Sequence, residues 1–151
     1  MQVNEHQILS FVSHLQKEQR YSKHTVEAYK FELYRFNKKI KKDFSEVSTD
    51  DVKDFVLFLR AKNLATKSIH RAISALRSFF QYLKNQGLLG QNPASHVQLP
   101  KHTQKLPAVL DTDQTAKLLE FVPKKAIEFR DKAILELLYG CGIRLTELVT
   151  L

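Results

Sequence analysis

The chain has 151 residues, 43% hydrophobic and 26% charged, which excludes a disordered polymer and leaves one ordinary domain or a smaller domain plus part of another. Its formal net charge is +8, unevenly spread: residues 1–100 hold 16 Lys and Arg against 9 Asp and Glu, and residues 101–151 hold 8 against 7. That imbalance points to a polyanion-binding module joined to something else.

The first hundred residues read as four amphipathic helices. Ile8, Phe11, Val12 and Leu15 keep helical spacing in the first, from about Glu5 to Gln19. The second opens on Ser22 as N-cap and runs to about Lys38, with Val26, Tyr29, Leu33 and Phe36 on one face. After a loop from Lys39 to Val47, Ser48 and Asp51 stand in capping-box spacing, with Asp for the usual Glu, ahead of Val52, Phe55, Val56 and Leu59. The fourth runs from about Thr66 to Gln86 with Ile69, Ala72, Ile73, Leu76, Phe80 and Leu83 inward, and Gly87 closes it. No stretch alternates with period two for long enough to form a strand, so the chain is expected to be all-α.

Residues 1–88 are therefore expected to form one helical domain. The prolines of Asn92-Pro93, Leu99-Pro100 and Leu106-Pro107 mark 89–110 as an extended linker. Beyond it, Asp111 and Gln114 cap a short helix, and a longer apolar one runs from about Lys125 to Tyr139. Glycines at 140 and 142 break that helix, and a new apolar period starts at Leu145. Three helices over 111–151 make a poor domain by themselves, so this part reads as the opening of a second domain.

Several classes of function fall away. Cys141 is the single cysteine, so no intrachain disulfide forms and a reducing compartment fits. No apolar run nears the ~18 residues of a membrane span, and the start, Met1 to His6, lacks the plan of a signal peptide, so a cytoplasmic setting without membrane contact is expected. No two of the six histidines lie three or four apart, and neither a metal nor any other cofactor nor a small-molecule substrate is expected.

Two places carry candidate chemistry. On the fourth helix Lys67, His70, Arg71, Ser74, Arg77, Gln81 and Lys84 recur at three- and four-residue steps opposite the apolar stripe, with no acid from Thr66 to Gln86. Such a face can lie in a major groove, with Lys and Arg on phosphates; it can also be a solvated basic surface. Lys38, Lys39, Lys41 and Lys42 suit favourable charge at a helix C-terminus. The second place is Arg144, at the seam between the last two helices and three residues before Glu147. An arginine so held can grip a phosphate by two parallel hydrogen bonds, or can simply cap and pack a helix start.

The run Tyr139-Gly-Cys-Gly-Ile-Arg-Leu-Thr-Glu-Leu148, behind Phe129 to Leu138, resembles the first catalytic-arginine motif of the tyrosine recombinases, the phage integrase family. It is most similar to the Xer branch, and more XerC-like than XerD-like. Ser22, Thr25 and Tyr29 resemble the family's Ser-x-x-Thr-x-x-x-Tyr segment, Ile73 to Phe80 its helix-four signature, and Asn92-Pro93-Ala94 with Leu106-Pro107 its interdomain linker. The resemblance implies a four- or five-helix core-binding (SAM-like) bundle, a linker, and then the first helices of a catalytic domain. It implies duplex DNA as partner, gripped through Lys23, His24, Thr25, Lys67, His70, Arg71, Ser74 and Arg77, and a second recombinase protomer within a tetramer on two DNA sites. Arg144 would be the first catalytic arginine, with Glu147 supporting it.

In that family a tyrosine attacks a phosphodiester and is left as a 3′-phosphotyrosine, while arginines neutralise the charge that builds on phosphate. The family's nucleophilic tyrosine, its His-x-x-Arg segment and its lysine have no counterpart in these 151 residues. The chain is thus expected to be a truncated, catalytically incomplete DNA-binding portion of a site-specific recombinase. Two other readings stay open: a stand-alone DNA-binding accessory without catalysis, and a helical protein-interaction module whose basic face meets an acidic partner.

Overall fold

A computed structural model describes residues 2–99 and 109–151, the side chain of Gln2 excepted. Pro100 and Leu106-Pro107 of the expected linker lie outside the described residues. All regular structure among those described is helical: α1 (Gln2–Lys17), α2 (Lys23–Ile40), a 3-10 turn (Phe44–Glu46), α3 (Thr49–Ala61), α4 (Thr66–Asn85), α5 (Thr112–Leu119), α6 (Ala126–Gly140) and α7 (Leu145–Val149). The chain forms two compact units, residues 1–103 and 104–151. No helix among the described residues is long and apolar enough to cross a membrane.

The first unit is a bundle of α1 to α4 around an aromatic centre. Ile8, Phe11 and Leu15 come from α1, Val26, Leu33 and Phe36 from α2, and Val52, Phe55, Val56 and Leu59 from α3. The fourth helix buries eight residues on one stripe, Ile69, Ala72, Ile73, Ala75, Leu76, Phe79, Phe80 and Leu83. Phe36 meets Phe55 edge-on at 5.0 Å between ring centroids, and Phe44 meets Phe79 at 4.9 Å. Such edge-to-face contacts add to area burial, and truncating one of these rings to alanine costs about 3–5 kcal/mol.

The helix ends follow their sequence signals. Ser22 Oγ accepts the Thr25 backbone N–H at 3.2 Å. At the start of α3, Asp51 N–H donates to Ser48 Oγ at 3.2 Å while the Asp51 carboxylate accepts the Ser48 N–H at 2.9 Å, a closed capping box. At the end of α4 the Gly87 N–H donates to Lys84 O and the Leu88 N–H to Leu83 O, and Gly87 takes φ +73°, the left-handed turn that glycine adopts without steric cost.

The segment expected as a plain loop, Lys39 to Val47, is more ordered than its polarity suggests. Phe44 is fully buried and draws in the 3-10 turn. The turn is tied down by buried Asn4, which donates to Asn37 Oδ1 and to the Lys42 carbonyl, each at 2.8 Å, and accepts the Phe44 N–H at 3.2 Å. Lys42 Nζ then reaches Asp51 at 2.7 Å and joins the loop to α3.

The expected extended linker also differs. Asn92 to Val97 folds back on the bundle, with Ala94 at 0% and Val97 at 2% exposure. Asn92 Oδ1 accepts the Ala94 N–H, and the Ser95 N–H and hydroxyl both donate to Asn92 O, which forms the turn. Small and apolar side chains at 94 and 97 make this turn a lid for the core rather than a spacer.

The second unit, described by itself, has α5 capped by the reciprocal Asp111–Gln114 bonds and α6 held at its start by Glu128, which accepts the Lys124 and Lys125 N–H groups. The short helix ends at Leu119, ahead of Pro123. The long helix runs through Gly140, and Gly142, at φ +62°, makes the reversal into α7. No residue of these three helices is buried, and Phe129 is 61% exposed. The apolar character of α6 predicts burial on most sides, which residues 109–151 do not provide.

The Lys42–Asp51 bond and then the Ser48 N–H hold the Asp51 carboxyl well below its ordinary value, at about 2. Because the folded value is the depressed one, this stabilisation is complete above the ordinary carboxylate range and is lost as pH falls from about 4 toward 2. Asp51→Asn is expected to destabilise the bundle by about 1–2 kcal/mol at neutral pH. The gap between variant and wild-type melting temperatures should close as the pH is taken down through that window.

Candidate nucleic-acid interface

Burial of the α4 stripe decides what the opposite face presents. Lys67, Arg71 and Ser74 are exposed and His70 is half-buried, on one side of the helix. Lys23 and His24 stand exposed on the first turn of α2. Glu32 meets Arg71, and further along both helices Phe36 meets Phe80, so the N-terminal halves of α2 and α4 lie at the same end of the bundle. The structure thus brings the two predicted basic segments together at one end.

Two predicted contacts are otherwise engaged. Thr25 is half-buried, and its hydroxyl lies 2.9 Å from that of Ser22, so it belongs first to the helix cap. Arg77 is half-buried and donates through Nε to Ala94 O at 3.0 Å and through Nη2 to Val97 O at 2.7 Å. In return Asn92 Nδ2 donates to Arg77 O at 3.0 Å. Its guanidinium therefore satisfies turn carbonyls that the fold takes from water, and its outward spacing on α4 gave no hint of that.

Arg71 has a divided role. Its Nη2 lies 3.4 Å from Oε1 of Glu32, a carboxylate fully buried on α2, while its own side chain stays 52% exposed. Arg35 pairs with the other Glu32 oxygen. Burial pushes the Glu32 carboxyl up from the ordinary glutamate value, and Arg35 and then Arg71 pull it back. Residue spacing alone does not reveal Arg71's partner, but it does flag Glu32, a charge set among the inward residues Tyr29, Leu33 and Phe36.

The lysines at the end of α2 and just beyond it are largely spoken for. Lys39 lies over the Phe58 ring at 5.2 Å, Lys41 is the left-handed cap at φ +52°, and Lys42 holds Asp51. A groove of about 830 Å³ beside them is lined by Glu5, Asp43 and Glu46 as well as by Lys38, Lys41 and Lys42, a mixed-sign wall poorly suited to a polyanion. Among the described residues no three His, Cys, Asp or Glu side chains cluster as a metal site.

In the second unit Arg144 is the residue before α7, with extended backbone. The Glu147 carboxylate accepts its backbone N–H at 2.8 Å and its Nη1 at 3.0 Å. The Arg144 side chain is 81% exposed, so the pair holds the arginine's orientation while leaving it open to solvent. An exposed pair of this kind contributes little to stability.

These features match a known architecture. The model of the phage integrase N-terminal SAM-like domain matches residues 8–87, and the chain belongs to that family. Within it the chain is XerC-like. It is 37% identical over 145 residues to the tyrosine recombinase XerC of Alcanivorax borkumensis, an alignment covering 94% of this chain and 47% of that protein. Against the tyrosine recombinase XerC of Roseiflexus sp. it is 34% identical over 151 residues, covering 96% of this chain and 48% of that one. Among solved structures, the crystal structure of XerA recombinase aligns with a TM-score of 0.53 and 25% identity over 96% of this chain and 49% of the other. The chain spans about half the length of these relatives.

Arg77→Ala should leave the Ala94 and Val97 carbonyls without donors and cost about 1–3 kcal/mol. Limited proteolysis is the readout, with new cleavage expected between residues 92 and 99 and none within α1 to α3.

Proposed function

We propose that this chain is the DNA-gripping portion of a XerC-like site-specific tyrosine recombinase, working in DNA integration and recombination and in chromosome dimer resolution. The carrying observation is the outward face of α4: Lys67, Arg71 and Ser74 stand on a helix whose other side is locked in the core, and no acidic residue lies along it. A rigid helix with such a face suits a major groove, with phosphates met by Lys67 and base edges within reach of Ser74 and Arg71. Lys23 and His24 would meet the backbone from the start of α2, and His70 would lie beside Arg71. Thr25 and Arg77 would act by shaping the surface.

In this reading the exposed Arg144, oriented by Glu147, stabilises charge on the scissile phosphate as the first of the catalytic arginines. The nucleophile and the other catalytic groups belong to the remainder of the longer relatives' architecture. The working assembly is a tetramer of protomers on two DNA sites, in the cytoplasm. The 37% identity to XerC over nearly the whole chain supports this reading, as does the placement of two basic segments at one end of the bundle.

Duplex binding by the 151-residue chain, measured by fluorescence anisotropy across a salt series, tests it. Binding should weaken steeply as salt rises, and Lys23→Ala with Lys67→Ala should lower the salt slope by roughly one to two units. Failure to bind at both low and moderate salt would instead favour an acidic protein partner. An unchanged slope in the double variant would discard the α2–α4 end as the DNA-facing surface.

A further inference from the structure

Glu32 is a fully buried carboxylate shared by two arginines in very different settings. Arg35, one turn along the same helix, is mostly buried, and its guanidinium lies 5.6 Å from the Phe31 ring centre and 5.9 Å from that of Phe55. That cation is held by burial and by its contacts with the two rings, and it fixes Glu32 in turn. Arg35 takes one oxygen of the carboxylate and leaves the other for a second cation. Arg71 supplies it, crossing from α4 with one nitrogen toward Glu32 and about half of its side chain in solvent.

We propose that Glu32 is a positioning residue, holding the Arg71 guanidinium at one angle across the outer face of α4 so that DNA meets an ordered fork. This rests on the reading of α4 as a DNA-facing helix. A free arginine samples many rotamers and loses them on binding, whereas a fork tethered by one nitrogen has lost most of them beforehand. The remaining nitrogens keep the planar geometry that suits a phosphate or the O6/N7 edge of a guanine. Pre-ordering one such side chain is worth about three- to tenfold in affinity.

The sign of the effect separates positioning from plain electrostatics. Glu32→Gln removes a negative charge from beneath a DNA-facing surface, so charge alone makes the variant bind more tightly. Positioning makes it bind more weakly. The experiment measures dissociation constants of the 151-residue chain for a mixed-sequence linear duplex at low salt, for wild type, E32Q, R71A and E32Q/R71A. Circular dichroism melts accompany each. E32Q is expected to weaken binding by about three- to tenfold, and E32Q in the R71A background to change it by less than about twofold.

A loss in both backgrounds would mark Glu32 as a packing residue only and overturn the proposal. So would binding by E32Q equal to or tighter than wild type. If E32Q melts below the assay temperature, Glu32→Asp carries the test. It keeps the charge but draws it back from Arg71 by one methylene, and the same background-dependent loss is expected. Absence of duplex binding by the wild-type chain would overturn the DNA reading itself. Wild-type binding with an unaffected E32Q would overturn the positioning role alone.

Discussion

The structure depends on the burial of one stripe of α4. Eight of its twenty residues face inward with helical spacing and touch α1, α2 and α3 at once, so the helix has no freedom to roll. A rotation by one residue would turn Arg71 or Ser74 toward the apolar core that the other helices form, at the cost of an unpaired polar group there. The outward face is thus fixed by hydrophobic burial on the far side. The aromatic cluster of Phe36, Phe44, Phe55, Phe79 and Phe80 is the part that sets the angle at which Lys67 and Arg71 are offered.

Three arginines show how burial sorts residues of one type. Arg35 lies against the Phe31 and Phe55 rings and pairs with Glu32. Arg77 spends its fork on two carbonyls of the 92–97 turn. Arg71 stands between these cases, one nitrogen on a buried acid and the rest in water. The guanidinium's five donors let one residue type act as counter-ion, as backbone brace and as a divided contact. The difference lies in how much polar backbone and carboxylate each meets.

Much of this was legible from residue order alone. The four helices of the bundle, the Ser22 and Ser48–Asp51 caps and the Gly87 turn all follow from local spacing, where the deciding interactions lie within a turn of helix. Most of the core stripe on each helix was legible for the same reason. Phe79 and Ala75 on α4, Phe44 in the 3-10 turn, and Ala94 and Val97 beyond α4 were not, and Val12 and Tyr29 are only half-buried. What was not legible depends on partners far along the chain. Asn4 reads as an ordinary polar residue near a helix start, yet it ties residues 37, 42 and 44 together. Arg77 keeps perfect outward periodicity, and only the fold shows that a turn fifteen to twenty residues later claims it. Glu32 left a trace, a charge amid the inward residues of α2, which asks for a cation without naming it. Of the candidate interface, the helices and the basic character could be read, but not which arginines remained available.

The folding of residues 92–97 onto α4 changes the mechanics of whatever follows. A spacer counted from residue 89 would be long; with Ala94 and Val97 sealed into the bundle, residues 92–97 do not belong to it. By covalent geometry the chain from Leu99 to Val109 can reach at most about 35 Å, whatever its path. A shorter covalent span between two binding units raises the local concentration of one around the other's ligand. A single side chain, Arg77, by bracing the 92–97 turn, thereby shares in setting that span.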